Sequence, residues 1–123
     1  MTDKPLVEPH IGPAPSDLLI EDIVVGEGAL AESGATVVVH YVVVAASTGE
    51  EFDASWNRGD TFSFPLGAGY VIAGWDQGVA GMRVGGRRRL VIPARLGYGD
   101  RGAGGVIAPG ETLIFVVDLV EIR

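Results

Sequence analysis

Few side chains in this sequence are arranged to do covalent chemistry. His10 stands among prolines and His40 in a run of valines; there is no Gly-x-Ser-x-Gly elbow and no cysteine. A nucleophile with an adjacent base, a thiolate and a disulfide framework are therefore not expected. A lone histidine within a strand reads as a satisfied structural residue. No cluster of histidines and carboxylates has ligand spacing, so neither a metal nor another cofactor is expected. Asp53 and Asp60 flank an aromatic-rich stretch and invite a two-carboxylate hydrolase. Arg58 lies between them, and an Asp53–Arg58 ion pair fixing a loop is the better reading. The glycines at 99, 102, 104 and 105 match no nucleotide-binding loop, and no helical pattern follows them. Arg87-Arg88-Arg89 resembles a phosphate patch, but on a strand Arg88 points away from its two neighbours. With a net charge of −7, nucleic acid is not an expected partner. The aromatics remain. Tyr41, Phe52, Phe62, Phe64, Trp75, Tyr98 and Phe115 lie on separate stretches, and they form either an ordinary core or an apolar site with Trp75 as its floor.

The elements that must position these rings can be read from composition and period. In 123 residues, 47% are hydrophobic and 20% charged, as in one folded domain. Charge is uneven: residues 1–53 carry ten acids and one base, Lys4, a net of −9, and the remainder carries +2. Pro5, Pro9, Pro13 and Pro15 predict that residues 1–17 form an extended or flexible extension, either a passive tail or a docking arm. Leu18 to Val25 predicts a first strand. Thr36 to Ala45, rich in β-branched valine and apolar on both faces, predicts a central strand covered on both sides. The longest apolar run, Val37 to Ala46, is about half a membrane span, so no membrane segment is expected. The first residues lack an apolar signal core, which makes the cytoplasm the expected compartment. Phe52 to Ser55 and Thr61 to Phe64 predict further extended segments. Ile72, Trp75, Val79 and Met82 form one helical stripe, although Gly78 and Gly81 each weaken that helix by about 1 kcal/mol. Arg87 to Pro93 and Thr112 to Ile122 predict strands, and Ala94 to Glu111, with six glycines, predicts none. Many strands, one helix and no βαβ alternation imply an antiparallel α+β domain over residues 18–123.

Several motifs then fall into register. Val39-His40-Tyr41, Gly49-Glu50-Glu51-Phe52-Asp53-Ala54-Ser55 and Phe62-Ser63-Phe64-Pro65-Leu66-Gly67 resemble the first half of an FKBP-type peptidyl-prolyl cis-trans isomerase. Val71-Ile72-Ala73-Gly74-Trp75, continuing to Val84-Gly85, resembles that family's central signature. Leu96-Gly97-Tyr98-Gly99, Ile107-Ala108-Pro109 and Thr112-Leu113-Ile114-Phe115 extend the resemblance to the end. It implies a five- to six-stranded antiparallel sheet curled around one short helix, with an apolar pocket between them. Carried over by position, Trp75 underlies the substrate proline ring, and Asp53, steadied by Arg58, contacts the imide. The Ile72 N–H and the Tyr98 hydroxyl bind substrate carbonyls. Tyr41, Phe52, Phe62, Val71, Ile107 and Phe115 complete the lining. The resemblance further implies a monomeric rotamase with chaperone character that acts on Pro-containing peptides and on unfolded or folding proteins. It also implies macrolide immunosuppressants as ligands.

The sequence departs from the family pattern in places. Val42-Val43 stand where Thr-Gly is usual, and the stretch before Phe52 is about one residue longer, which bears on strand geometry there. Ala103 occupies a flap position that often carries a larger side chain, which bears on macrolide affinity and on the residue preferred before proline. The alternative class is a non-catalytic module that keeps the pocket for a partner's loop.

Overall fold

The computed structural model describes residues 3–10, 12–102 and 107–123. Six strands, β1 (Leu19–Val24), β2 (Thr36–Ala45), β3 (Glu51–Ala54), β4 (Phe62–Pro65), β5 (Arg87–Ile92) and β6 (Leu113–Ile122), form one antiparallel sheet. Its order is β1-β5-β6-β2-β3, with β4 also paired to β2. The helices are α1 (Ser55–Arg58) and α2 (Ala73–Gly78), and a short 3-10 turn spans Ala94–Leu96. Among the described residues no helix is long and apolar enough to cross a membrane.

The valine-rich β2 is central, as its two-faced apolar pattern requires: β6 lines one flank along its whole length, and β3 and β4 share the other. β3 and β4 thus behave as one strand interrupted by α1, because both pair with β2 at different positions along it. Val37, Val39 and Val43 face the helix side, whereas Val42 and Val44 join apolar clusters on the opposite face.

α2 lies against the inner face, where Trp75, Val79 and Met82 pack among Leu90, Ile92, Phe115 and Val117. The predicted stripe is real, but the helix stops at Gly78 and the chain continues as turn through Val79 to Met82. Gly81, at φ +89°, could not continue a right-handed helix. The glycines inside α2 answer to the sheet beneath. A Cβ on Gly74 would sit 2.6 Å from Ile92 Cγ2, and one on Gly78 would sit 2.7 Å from Leu90 Cδ1. Glycine at these two positions, four apart on one helix face, sets how closely α2 approaches β5.

The three arginines of β5 alternate as a strand dictates. Arg88 turns inward, is nearly buried, and donates to the Gly78 and Ala80 carbonyls at the end of α2 (2.9 and 3.1 Å) and to Asp22 of β1 (2.6 Å). Arg87 turns outward onto buried Asp118 through two bonds of 2.7 and 2.9 Å. β1 forms one edge of the sheet, with Leu19, Ile20, Ile23 and Val24 all exposed around Glu21 and Asp22.

On the outer face lie residues 3–10, which belong to no helix or strand: Val7 packs against both outer clusters, Arg87 donates to the Asp3 carbonyl and Arg89 to the Glu8 carbonyl.

Candidate active site

A cavity of about 860 Å³ opens between α2 and the inner face of the sheet. It is lined by Tyr41, Val43, Phe52, Asp53, Phe62, Gly69, Tyr70, Val71, Ile72, Trp75, Tyr98, Ile107 and Phe115. All ten residues expected to line a pocket border this one space. Ala103, the flap position, lies outside the described residues.

Trp75 and Phe115, 4% and 5% exposed, form the floor; Phe62, Tyr98 and Tyr70, 38%, 41% and 75% exposed, form the rim. The Trp75 indole is held edge-on by Tyr41 (centroids 5.1 Å apart, planes at 76°), Phe115 (5.3 Å, 77°) and Phe62 (5.9 Å, 67°), and Phe64 meets it at 46°. Edge-to-face contact sets the positive rim of one ring against the negative face of the next, which fixes the rings' relative tilt. Trp75 can take part because it sits in the first turn of α2, on the face that glycines bring close to the sheet.

The polar groups gather on one wall. On a regular strand the adjacent residues Phe52 and Asp53 would point to opposite faces. Here the β2–β3 register shifts, Val43 opposing Asp53 and Val44 opposing Glu51, so Phe52 is the extra residue of a bulge. The bulge lets both side chains border the cavity.

Asp53 is surrounded by donors. The Tyr41 hydroxyl donates to Asp53 Oδ2 (2.6 Å), the Ala54 N–H to Oδ1 (2.8 Å), and Arg58 forms an ion pair with Oδ1. Arg58 Nη2 also donates to the Tyr41 oxygen (2.9 Å) and its guanidinium lies 5.7 Å from the centre of that ring. Burial pushes the Asp53 carboxyl up, but the bonds from Tyr41 and Arg58, the Arg58 charge and the Ala54 N–H outweigh it and hold the group below the ordinary aspartate value. Burial, reinforced by the bond to Asp53, raises the Tyr41 phenol. Asp53 is therefore held as the anion, and Asp60, the second carboxylate of the hydrolase reading, is not among the residues that line the cavity, so the site offers no carboxylate pair.

α1 supplies Arg58 and was not anticipated. Ser55 at its start is fully buried; its hydroxyl accepts the Tyr41 N–H (2.8 Å) and meets His40 Nδ1 (2.7 Å). His40 stacks on Trp56 at 4.7 Å, so this histidine is a structural brace. Opposite, Ile72 precedes α2 in an extended conformation (φ −58°, ψ 149°), and among the described residues no acceptor is bonded to its N–H. The loop before it is tied back by Asp76, whose carboxylate accepts from the Gly67 and Gly69 N–H groups (2.8 and 3.0 Å). The Tyr98 hydroxyl likewise has no bond among the described residues.

Sequence reasoning missed Val43, Gly69 and Tyr70 as lining residues. Val43 lies two places from Tyr41 on the same strand, and that alternation was the available signal. Gly69 and Tyr70 lie in an irregular turn with no period to read.

A family model described as FKBP-type peptidyl-prolyl cis-trans isomerase matches residues 28–120, leaving residues 1–27 outside the match. The chain is 67% identical over 121 residues to an FK506-binding protein of Streptomyces anulatus, covering 98% of each. It is 51% identical over 90 residues to the peptidyl-prolyl cis-trans isomerase FPR2 of Saccharomyces cerevisiae, covering 73% of this chain and 67% of that one. The crystal structure of AtFKBP13 superposes with a TM-score of 0.81 at 40% identity, covering 89% of this chain and 96% of the other. By sequence and by fold, this chain belongs to the FKBP-type peptidyl-prolyl cis-trans isomerases.

Proposed function

We propose that the cavity above Trp75 is where this chain turns X–Pro bonds, by holding the twisted imide in a dry, ring-lined cleft. The observation that carries the reading is the pairing of an aromatic floor with the Ile72 N–H and the Tyr98 hydroxyl, donors at its edges that have no partner among the described residues. Rotation about an amide costs about 18–20 kcal/mol because conjugation between nitrogen and carbonyl must be broken, and an uncatalysed X–Pro bond takes tens to hundreds of seconds. Midway through the rotation the charge-separated resonance form is lost, so the imide is less polar there than when planar. A cavity that strips water from the imide disfavours the planar ground state more than the twisted state. Five decades of acceleration correspond to about 7 kcal/mol.

Each residue then has a part. Trp75 and Phe115 receive the proline ring; Tyr41, Phe52, Phe62, Val71 and Ile107 wall it. The Ile72 N–H and Tyr98 hydroxyl hold flanking carbonyls so that only the imide turns. The Asp53 carboxylate, fixed by Tyr41 and Arg58, lies beside the imide, where its field acts on the changing dipole. No bond to the enzyme forms. The substrates are proline-containing peptides and unfolded or folding chains, and the same cavity takes FK506-type macrolides.

The test is isomerisation of short X–Pro peptides followed by NMR exchange, with and without a macrolide. Turnover without added metal or cofactor, abolished by stoichiometric macrolide, is the expected result. A chain that binds the peptides without accelerating exchange would be the docking module instead.

A further inference from the structure

The outer face of the sheet carries two buried apolar clusters, Val42–Ala54–Val116 and Val44–Val91–Ile114, and Val7 is the residue packed against both. The segment that brings it there alternates like a strand: Pro5 and Val7 are half-buried, Leu6 and Glu8 exposed. Its carbonyls are held at each end, Asp3 by Arg87 (2.9 Å) and Glu8 by Arg89 (3.0 Å). Both arginines reach the outer face because Arg88 between them turns inward.

Lys4 directs the segment toward the site. Its ammonium lies 2.8 Å from Glu51 Oε1 and 3.1 Å from Asn57 Oδ1, and Asn57 donates to Glu51 Oε2 (3.0 Å). The hydrogen bond from Lys4 holds the Glu51 carboxyl below its ordinary value against the opposing effect of burial. Glu51 is two residues before Asp53 on β3, and Asn57 is next to Arg58 on α1. Lys4 therefore joins, from behind, the two elements whose front side carries the Asp53–Arg58 pair. We infer that residues 3–10 are a strap that positions Asp53 and Arg58 through Lys4 and Val7, so that whatever lifts the strap detunes the cavity in front. The positioning role rests on the isomerase reading of that cavity, while the strap's hold on α1 does not.

The test uses the full chain. Lys4→Glu sets like charges against each other at Glu51, Val7→Asp places a charge on the apolar clusters, and Lys4→Glu combined with Glu51→Lys restores the pair in reverse. Three readouts are taken on each variant: amide hydrogen exchange at Arg58 and Gly59, whose N–H groups close the α1 turn, the Asp53 carboxyl titration by NMR, and kcat/KM on an X–Pro peptide. In both single variants exchange should accelerate about tenfold, the Asp53 titration should move up toward the ordinary aspartate value, and kcat/KM should fall about three- to fivefold. The charge-reversed double variant should recover all three. Unchanged exchange and titration in Lys4→Glu would overturn the strap, and accelerated exchange with an unchanged rate would overturn its positioning role. A parent chain without isomerase activity would sink the reading of the cavity, and exchange and titration would still decide whether the strap holds α1.

Discussion

Asp53 accepts from Tyr41, Ala54 and Arg58, and each of these bonds favours its anion. The group's titration is therefore separated from the working pH range. With the folded-state value depressed, the ionised carboxylate stabilises the fold fully above the ordinary aspartate value. That contribution is lost as pH falls through the lower folded value. The Tyr41 phenol is displaced the other way, upward. A pH–rate profile of kcat/KM should thus be flat from about pH 5 to 9, because neither group changes charge there; an inflection near neutrality would mean that another group takes part. Asp53→Ala removes the carboxylate from the wall and leaves the aromatic floor intact. Loss of one charge-assisted contact, worth about 1.5–3 kcal/mol, predicts a fall in kcat/KM of about ten- to a hundredfold. Its melting temperature should stay within a few degrees of the parent, since the pair is about half exposed and screened by solvent. Equal rates in the peptide assay would take Asp53 out of the mechanism. Much of this site was legible through the family resemblance, because Tyr41, Asp53 and Trp75 stand in the motifs that carry it, whereas residue types alone left an ordinary core and a loop ion pair open. The Tyr41–Arg58 contact was not legible, since it depends on a helical turn four residues long, too short to show a period.

At the scale of elements, α2 is a helix chosen for its approach distance rather than its propensity. Replacing Gly78 by Ala would raise intrinsic helix stability by about 1 kcal/mol in an isolated peptide. In this fold the added methyl meets Leu90 at 2.7 Å, and overpacking a core of this kind costs about 1–3 kcal/mol. The net change should be destabilising, seen as a lower urea midpoint with an unchanged slope; a higher midpoint would show that α2 can lift off the sheet freely. The same contrast explains what the pattern hid. The i, i+3, i+7, i+10 stripe of Ile72 to Met82 correctly marked the buried face, but a period reports which side is buried and not where hydrogen bonding stops. Strands were more legible than helices. β2, β5 and β6 carry their own alternation or two-faced valine runs, whereas α1 and the turn at Ala94–Leu96 exist because tertiary contacts hold them.

For the molecule as a whole, the cavity is bordered by β2, β3, β4, β6, the start of α2 and the loop bearing Tyr98, so a ligand filling it bridges elements distant in sequence. Binding to the folded chain alone should stabilise it by about 2.7 kcal/mol at a free macrolide concentration a hundred times Kd. A thermal melt should therefore shift upward by several degrees with saturating macrolide, and Trp75→Ala should abolish most of that shift. A parent chain whose melt ignores the compound would place macrolide binding outside this cavity's repertoire.

The exposed flank of the sheet carries one more consequence. Paired to β5 on one side, β1 has no strand on its other side among the described residues, along a stretch whose four large apolar side chains all meet solvent, interrupted by Glu21 and Asp22. Asp22 is also the counterion of the inward-turned Arg88, so one carboxylate both repels a foreign strand and neutralises a charge beneath the helix end. Erasing it would leave Glu21 alone to guard that border and would take the counter-charge from Arg88, which keeps only the Gly78 and Ala80 carbonyls, so the same change weakens the defence of the edge and the neutrality of the interior.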